Sequence, residues 1–281
     1  MKYLMIINII LILNSIILIP QSNDLEKARK FREIEKIKIK IEKAQEYLNN
    51  RSIIESINTK NKSKNSDNLL SQNEKIVANE QLPESEVFAA INPTDSNNIV
   101  LSPIQLGLDK GQSLMCPVYY TKNLGLSWTR STFKSLPLRD SLLVVGGGDP
   151  VMVFDANGRL YFSWINIFLT YINLGSENLP VYTIDSLFEG IFYAYSDDGG
   201  ATFTFDNSMF IGQKLSGGKY TKDKPVDLTF FLDKQWMPAD MSNSKFRGNV
   251  YLSALNLNFD DETFKMILFR KNACDNYFLE N

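Results

Sequence analysis

The chain has 281 residues, a formal net charge of −2, two cysteines and no histidine, so its length allows one sizeable domain with appendages. The absence of histidine excludes Ser-His-Asp and Cys-His catalysis, histidine zinc ligands and histidine pH switching. Two cysteines cannot build a four-cysteine metal site, and a net charge this small gives no electrostatic argument for a nucleic-acid partner.

Residues 1–22 predict an export signal or an N-terminal anchor. Lys2 precedes an apolar run from Tyr3 to Pro20, and one basic residue before a short apolar core is typical of a secretory signal peptide. A run of this length is also near the lower limit for spanning a bilayer, about 17 residues, so an uncleaved anchor is the alternative. Both alternatives predict that the rest of the chain is extracytoplasmic, either secreted or at the cell surface.

Residues 23–57 predict a charged amphipathic helix, because apolar residues recur at steps of three and four and Asp24 can cap the first turn. The heptad spacing from Ile34 to Leu48 leaves two interpretations, a helix lying against the domain or a self-association helix. Residues 58–85 are rich in Asn, Lys and Ser and predict a disordered linker. The apolar stripe of the helix consists of Leu25, Ala28, Phe31, Ile34, Ile37, Ile41, Ala44 and Leu48.

From residue 86 onward the pattern is that of β structure. Three times, a strand-like run leads through an Asn/Asp-containing turn into a second strand whose apolar core ends at or near a serine. In the second unit, an insertion from Ile165 to Glu189 is predicted to follow these strands. The strand pairs are Val87–Pro93 with Ile99–Ser102, Asp149–Asp155 with Leu160–Trp164, and Asp233–Asp240 with Val250–Ser253.

Each unit then reaches a short turn motif, S/T-x-D/N-x-G-x-S/T-W/F. The first two copies match at every signature position, and the third is eroded, with Cys274 at the glycine position. The anchors Asn123, Asp198 and Asn272 are nearly evenly spaced (198 − 123 = 75 and 272 − 198 = 74), which indicates a repeat. The predicted motif residues are Thr121, Asn123, Gly125, Ser127, Trp128, Ser196, Asp198, Gly200, Thr202, Phe203, Asn272 and Tyr277.

The motif and its repetition resemble the Asp boxes (BNR repeats) of the sialidase-like β-propeller superfamily, in particular its secreted bacterial members. In that superfamily the box is a structural turn on the propeller rim. The resemblance implies an all-β fold, a partial Asp-box β-propeller over residues 86–281, preceded by the N-terminal helix and linker. About three four-stranded blades are encoded, whereas a propeller closes with about four to eight. Three alternatives account for the small number of blades: two chains pair to complete the ring, the blades form an open partial propeller, or the chain is a shortened remnant of a longer one.

The resemblance transfers no catalytic residue to this chain. Sialidases of the superfamily bind the substrate carboxylate with three arginines and use a Tyr–Glu nucleophile pair with an Asp acid/base. The arginines of the β region, none of them in the family's Arg-Ile-Pro motif, are Arg130, Arg139, Arg159, Arg247 and Arg270. We therefore expect a non-catalytic module that binds glycans or proteins. A sialidase-type glycoside hydrolase that obtains its missing blades from a partner, and an inactive fragment, are the alternatives.

One repeated feature is a candidate for ligand binding. Glu86, Asp149 and Asp233 each stand near the start of a unit's opening strand, and in a propeller such positions ring the central channel. Three carboxylates there can bind a cation or the hydroxyls of a sugar. The alternative is that all three are solvated residues with local hydrogen bonds.

The two cysteines leave two alternatives. Cys116 and Cys274 form a disulfide if the compartment is oxidising and they lie close together, or they remain free, packed thiols. Neither a cofactor nor a metal is predicted. A glycan or a surface protein is the expected partner, and self-association is a way to complete the propeller.

Overall fold

The computed structural model describes Glu42, Gln45, Glu46, Val77, Ala78 and residues 84–105, 116–134, 142–176, 181–206, 208–213, 215–220, 230–258, 263–275 and 277–280. All of them belong to one compact unit, residues 40–281. The predicted N-terminal signal, most of the predicted helix and nearly all of the linker lie outside the described residues; Glu42, Gln45 and Glu46 are helical. Within the described part, no helix is long and apolar enough to cross a membrane.

The described β region begins at Glu84, close to the predicted boundary, and η1 (Ile211–Gln213) is a short 3₁₀ turn within it. The strands are β1 (Glu84–Ile91), β2 (Ile99–Gln105), β3 (Tyr119–Thr121), β4 (Thr129–Arg130), β5 (Thr132–Phe133), β6 (Leu142–Phe154), β7 (Leu160–Asn173), β8 (Tyr182–Ser196), β9 (Thr202–Phe203), β10 (Ser216–Lys219), β11 (Phe230–Trp236), β12 (Val250–Asn258), β13 (Thr263–Lys271) and β14 (Leu279–Glu280).

The strands form three four-stranded antiparallel sheets in succession, so the predicted all-β class is confirmed for the described residues. The first sheet has the order β1-β2-β3-β4, the second β10-β8-β7-β6 and the third β11-β12-β13-β14. A short parallel pair, β5 with β9, joins the segment that follows the first sheet's turn motif to the end of the second sheet's turn motif. The residues of the predicted insertion from Ile165 to Glu189 extend the second sheet, since residues 165–173 pair with residues 182–191 as the distal halves of β7 and β8.

The hairpins that open the three sheets are built alike. In each, an Asn or Asp side chain at the end of the first strand accepts a hydrogen bond from the backbone N–H two residues later, which closes the turn locally. Such closure explains why the three turns could be located from sequence. The pairs are Asn92 with Thr94, Asp155 with Asn157 and Asp240 with Ser242, with N···Oδ1 distances of 3.0, 2.8 and 2.8 Å.

The second sheet is covered by the other two sheets on both faces. Along β7, Phe162 and Trp164 belong to an apolar layer shared with Val100 of the first sheet. The alternate residues, such as Tyr161, belong to a second layer shared with Leu252 of the third sheet. Since successive side chains of a strand point to opposite faces, a strand buried on both faces needs an almost continuous apolar sequence, and β7 has one.

Aromatic rings dominate the layer between the first and second sheets. The ring of Trp164 stacks on Phe162 with centroids 4.9 Å apart, and Phe133 stacks on Phe203 at 5.0 Å. Ring pairs of this kind contribute roughly 0.5–1.5 kcal/mol beyond their buried area. The layer therefore fixes how the second sheet packs on the first.

Gly200 allows the turn after β8 to approach the first sheet. Its φ is +90°, and a Cβ on it would lie 2.7 Å from Cγ2 of Val100. We expect Gly200→Ala to lower the free energy of unfolding by about 2–4 kcal/mol, because backbone strain adds to overpacking. Urea unfolding followed by circular dichroism measures the change.

Gly218 provides the matched control, since a Cβ there would meet nothing within 4 Å. We expect Gly218→Ala to change stability by less than about 1 kcal/mol. Equal losses in the two variants would contradict the role given to Gly200.

Candidate functional site

The first predicted box is a turn closed by its own side chains. The Oγ1 of Thr121 accepts hydrogen bonds from the backbone N–H groups of Asn123 and Gly125, at 3.2 and 3.0 Å, and donates to Oδ1 of Asn123 at 2.7 Å. That Oδ1 also accepts the N–H of Ser127 at 3.0 Å. Gly125 has a φ of +82°, a conformation that favours glycine.

The second box repeats this pattern atom for atom. The Oγ of Ser196 accepts the N–H of Gly200 at 2.9 Å and donates to Oδ1 of Asp198 at 2.7 Å. The same Oδ1 accepts the N–H of Thr202 at 2.9 Å. Asn123 can replace Asp198 because the turn uses one acceptor oxygen, which an amide and a carboxylate both supply. Partial burial acts to raise the pKa of Asp198, but hydrogen bonds from Thr202 and Ser196 lower it below its ordinary value of 3.8.

These two boxes also join sheets to each other. Nδ2 of the buried Asn98 donates to the carbonyls of Thr121 and Gly199, both at 2.9 Å, and so ties the first box to the second. At the end of the second box the ring of Phe203 is fully buried. Both boxes therefore contribute to the contact between the first and second sheets.

In the structure, the third copy of the turn motif begins one residue later than the comparison of the three copies in the sequence predicted. Thr121 and Ser196 lie opposite the first residues of β2 and β7, and the residue opposite the first residue of β12 is Lys271, not Arg270. The repeat is then even (196 − 121 = 75 and 271 − 196 = 75). In this register Phe278, which is fully buried, takes the aromatic position, and Tyr277 is exposed.

The turn of the third copy is held by other bonds than those of the first two. Lysine cannot accept the N–H groups that a Ser or Thr hydroxyl accepts. Instead, Nδ2 of Asn272 donates to Oδ2 of Asp275 at 2.6 Å, and the N–H of Ala273 bonds to Oδ1 of Asn249 at 3.1 Å. Asn272 thus stabilises the turn, but not from the anchor position that the sequence alignment gave it.

The opening strands of the three sheets, β1, β6 and β11, are edge strands that meet one another. The ring of Phe88 in β1 packs edge-on against Trp236 in β11, with centroids 5.5 Å apart. Nε2 of Gln235 in β11 donates to the backbone carbonyl of Asp149 in β6. Residues at this meeting point come from all three sheets, as a binding site between repeats requires.

Each of these strands has a β-bulge with one residue in the left-handed conformation. The residues are Glu86, Asp149 and Lys234, with φ of 50°, 49° and 51°, and each lies within a register shift of its strand. Equal backbone geometry makes these three residues equivalent. Aligning the three repeats by sequence made Asp233 the equivalent of Glu86 and Asp149, which differs by one residue from the structure. The reason is that a bulge adds a residue that no local sequence pattern reveals.

Lys234 is surrounded by the predicted carboxylates. Its Nζ lies 3.0 Å from Oδ2 of Asp149. The hydrogen bond with Asp149 raises the pKa of Lys234 despite partial desolvation, and the charges of Asp149, Asp233 and Glu86 raise it further. We call these four residues the axial cluster. Among the described residues no three His, Cys, Asp or Glu side chains are arranged to hold a metal ion; the cation that the predicted carboxylates face is Lys234.

A second polar cluster lies beside the second box, and sequence reasoning missed its connection to the third sheet. Arg159 makes a bidentate ion pair with Asp197, at 2.6 and 3.2 Å, and its guanidinium lies over the ring of Tyr195. Nζ of the buried Lys271 donates to the hydroxyl of Tyr161 at 3.4 Å. Burial lowers the pKa of Lys271, and the charge of Arg159 lowers it further. No sequence pattern predicted a buried lysine at this position.

Glu189 is a carboxyl group enclosed between the second and third sheets. It is completely buried, and its Oε2 accepts the N–H of Leu232 at 3.4 Å. Burial raises its pKa well above the ordinary value, although the bond from Leu232 opposes this. Enclosure of Glu189 therefore favours the neutral form of its carboxyl group over the charged form.

The two cysteines, both among the described residues, are free. Cys116 is buried in the layer between the first and second sheets, whereas Cys274 is exposed in the third turn. The disulfide alternative is therefore not formed. Burial raises the pKa of the Cys116 thiol, and the charge of Asp149 raises it further.

Comparisons with known proteins add little to this geometry. No family model matches the chain. No curated protein matches it. The chain is similar to a protein of unknown function from Dyadobacter fermentans, with 11% identity and a TM-score of 0.25, over 73% of this chain and 70% of that one. It is also similar to the sialidase of Trypanosoma rangeli, solved with the inhibitor DANA, with 10% identity and a TM-score of 0.23, over 71% of this chain and 38% of that one. TM-scores this low do not define a shared fold.

The role of Asp198 as an acceptor predicts different effects for two substitutions. Asp198→Asn keeps the acceptor oxygen, as Asn123 does in the first box, and at pH 7 we expect stability within about 0.5 kcal/mol of the parent. Asp198→Ala leaves the N–H of Thr202 to the solvent, and we expect a loss of about 1 kcal/mol. Urea unfolding of the three proteins provides the comparison.

The lowered pKa of Asp198 predicts that the free energy of unfolding depends on pH. Because folding lowers the pKa of Asp198, its charge stabilises the fold above the unfolded-state pKa of about 3.9, and this contribution is lost as the pH falls through the folded-state value. Asp198→Asn lacks this titration. The parent should therefore lose stability relative to Asp198→Asn between pH 7 and pH 3, and a constant difference would contradict the hydrogen bonding described.

The burial of the thiols predicts that one cysteine reacts in the folded protein. A thiol-specific reagent at pH 8 should label Cys274 at once and Cys116 only in denaturant, because a buried thiol with a raised pKa forms little thiolate. Cys274→Ser should abolish the rapid phase. Two unreactive cysteines that become reactive after reduction would show that a disulfide forms.

Proposed function

We propose that this chain is a non-catalytic, sialidase-like Asp-box β-propeller module that binds neutral glycans at its axial cluster. Three four-stranded antiparallel sheets with meeting edge strands support a propeller arrangement. The two complete boxes, with identical hydrogen bonds at equivalent positions, support kinship with Asp-box proteins. The apolar run from Tyr3 to Pro20 supports a location outside the cytoplasm.

The observation that carries the proposal is the composition of the axial cluster and its surroundings. The carboxylates of Glu86 and Asp149 accept hydrogen bonds from hydroxyls, and the ammonium of Lys234 donates them. Two residues beyond Lys234, the ring of Trp236 is 60% exposed. A few polar groups beside an exposed aromatic ring form a surface on which a sugar can stack and be oriented.

The charge of the cluster favours a neutral ligand. Glu86, Asp149 and Asp233 supply three negative charges and Lys234 one positive charge, so the cluster is negative at neutral pH. A ligand carboxylate, such as that of a sialic acid, would be repelled, whereas hydroxyl groups would not. Two of the described arginines have other partners: Arg159 is paired with Asp197, and Arg247 donates to the carbonyls of Met241 and Ser242.

The test is binding to an array of neutral and sialylated glycans, followed by calorimetry on the strongest neutral ligand. We expect Lys234→Ala to weaken binding at least tenfold, because the variant removes a donor and leaves three like charges together. Lys219→Ala is the matched control. Lys219 is an exposed lysine of β10 that lies 3.9 Å from Asp185, and it is not part of the axial cluster. The affinity of this variant should be unchanged.

Three outcomes would overturn the proposal. They are an array without a neutral ligand, equal affinities for the parent and Lys234→Ala, and release of the fluorophore from a fluorescent sialoside. The last outcome would establish a hydrolase instead, and its loss in Lys234→Ala would place that chemistry at the axial cluster.

A further inference from the structure

The repeat indicates which faces of the sheets take part in sheet-to-sheet contact. The second strands β2, β7 and β12 start at equivalent residues, because each pairs with the first residue of its turn motif. Val100 of β2 and Tyr161 of β7 are therefore equivalent to Tyr251 of β12. Val100 is buried in the layer with the second sheet, and Tyr161 in the layer with the third.

In the third sheet no other described sheet packs on the equivalent face. Tyr251 and Leu255 of β12 are only half-buried, and the neighbouring strand β13 adds Met266 and Leu268, which are 70 and 43% exposed. No other sheet of the described residues packs on these side chains. This set is the outer face of the third sheet.

The first sheet has the complementary open face. Leu101 of β2 is equivalent to Phe162 and Leu252, which lie in the faces by which the second and third sheets receive the preceding sheet, and both are fully buried. Leu101 itself is half-buried, and on the adjacent strand Val87 and Ile91 are each 62% exposed. This set is the back face of the first sheet.

We propose that a second copy of this chain covers both faces. The back face of the partner's first sheet packs on the outer face of the third sheet, and the same contact is made in the opposite direction about a two-fold axis. The contact continues the packing that already joins the first sheet to the second and the second to the third. Two copies thereby close a ring of six sheets, which leaves no apolar sheet face open.

The area is close to that of a stable pair. The strands have 8, 7, 3 and 2 residues in the first sheet and 7, 9, 9 and 2 in the third. With strands about 4.8 Å apart and about 3.4 Å per residue, the two faces cover roughly 330 and 440 Å² in projection. Each chain therefore contributes roughly 770 Å², and a stable interface takes about 800 Å² per partner. The proposal concerns the sheet faces only and does not depend on the ligand of the axial cluster.

Multi-angle light scattering after size-exclusion chromatography of the full chain measures the mass. We expect twice the chain mass of 32.1 kDa for the parent and the single mass for Met266→Asp, which places a charge in the outer face. Leu126→Asp is the matched control, because Leu126 is 76% exposed in the first turn motif, away from both faces, and it should remain a pair. Lys234→Ala should also remain a pair, so that loss of binding and loss of pairing are separated.

A mixing experiment tests the head-to-tail arrangement. Val87→Asp places a charge in the back face of the first sheet, and this variant should also be monomeric. Mixing it with Met266→Asp leaves one intact outer face and one intact back face, about half of the contact, so we expect a weaker pair whose mass approaches twice the chain mass as the concentration rises. A parent that is monomeric at all concentrations, a paired Met266→Asp protein, or a mixture that stays monomeric would each overturn the proposal.

Discussion

The hydroxyl groups of Thr121 and Ser196 each close a turn on which the packing of neighbouring sheets depends. Each accepts a backbone N–H from the glycine of its box, at 3.0 and 2.9 Å. A buried N–H without a partner is destabilising by about 1–3 kcal/mol, and in the second box the Gly200 N–H is enclosed. Once the turn is closed, Phe203 enters the layer between the sheets, and the carbonyl of Gly199 accepts the Asn98 amide. Local closure and sheet-to-sheet contact therefore rest on the same few atoms.

The sequence was sufficient wherever the determining interactions are local. The all-β class, the hairpin turns and the first two boxes follow from alternation and from side chains that bond within a few residues. Two predictions failed by a single residue, Asp233 in place of Lys234 and the anchor position given to Asn272. In the first, a bulge adds a residue without a sequence signal; in the second, the register is fixed by pairing between β12 and β13. A shift of one residue exchanges the faces of a strand, so such errors change which side chains meet.

Lys271 shows how the third repeat departs from the other two. At the position of the hydroxyl, a lysine cannot close its own turn, and its Nζ extends to the hydroxyl of Tyr161 in the second sheet. The turn then depends on Asn272, Asp275 and Asn249. The third repeat thus has a contact between sheets where the other two have a local bond, and Phe278 is nevertheless buried.

The charge of the axial cluster, and not the fold of the sheets, determines which ligands are electrostatically favoured there. The turns and sheets do not decide function, which depends on the side chains at the site. Recognition of a carboxylate needs a cationic pocket, whereas here one lysine, Lys234, faces Asp149 with Asp233 and Glu86 nearby. Because the lysine is already paired, its charge offers little attraction to an incoming anion, and the remaining carboxylates oppose it. A scaffold of three four-stranded antiparallel sheets can therefore present a site whose electrostatics disfavour a carboxylate ligand.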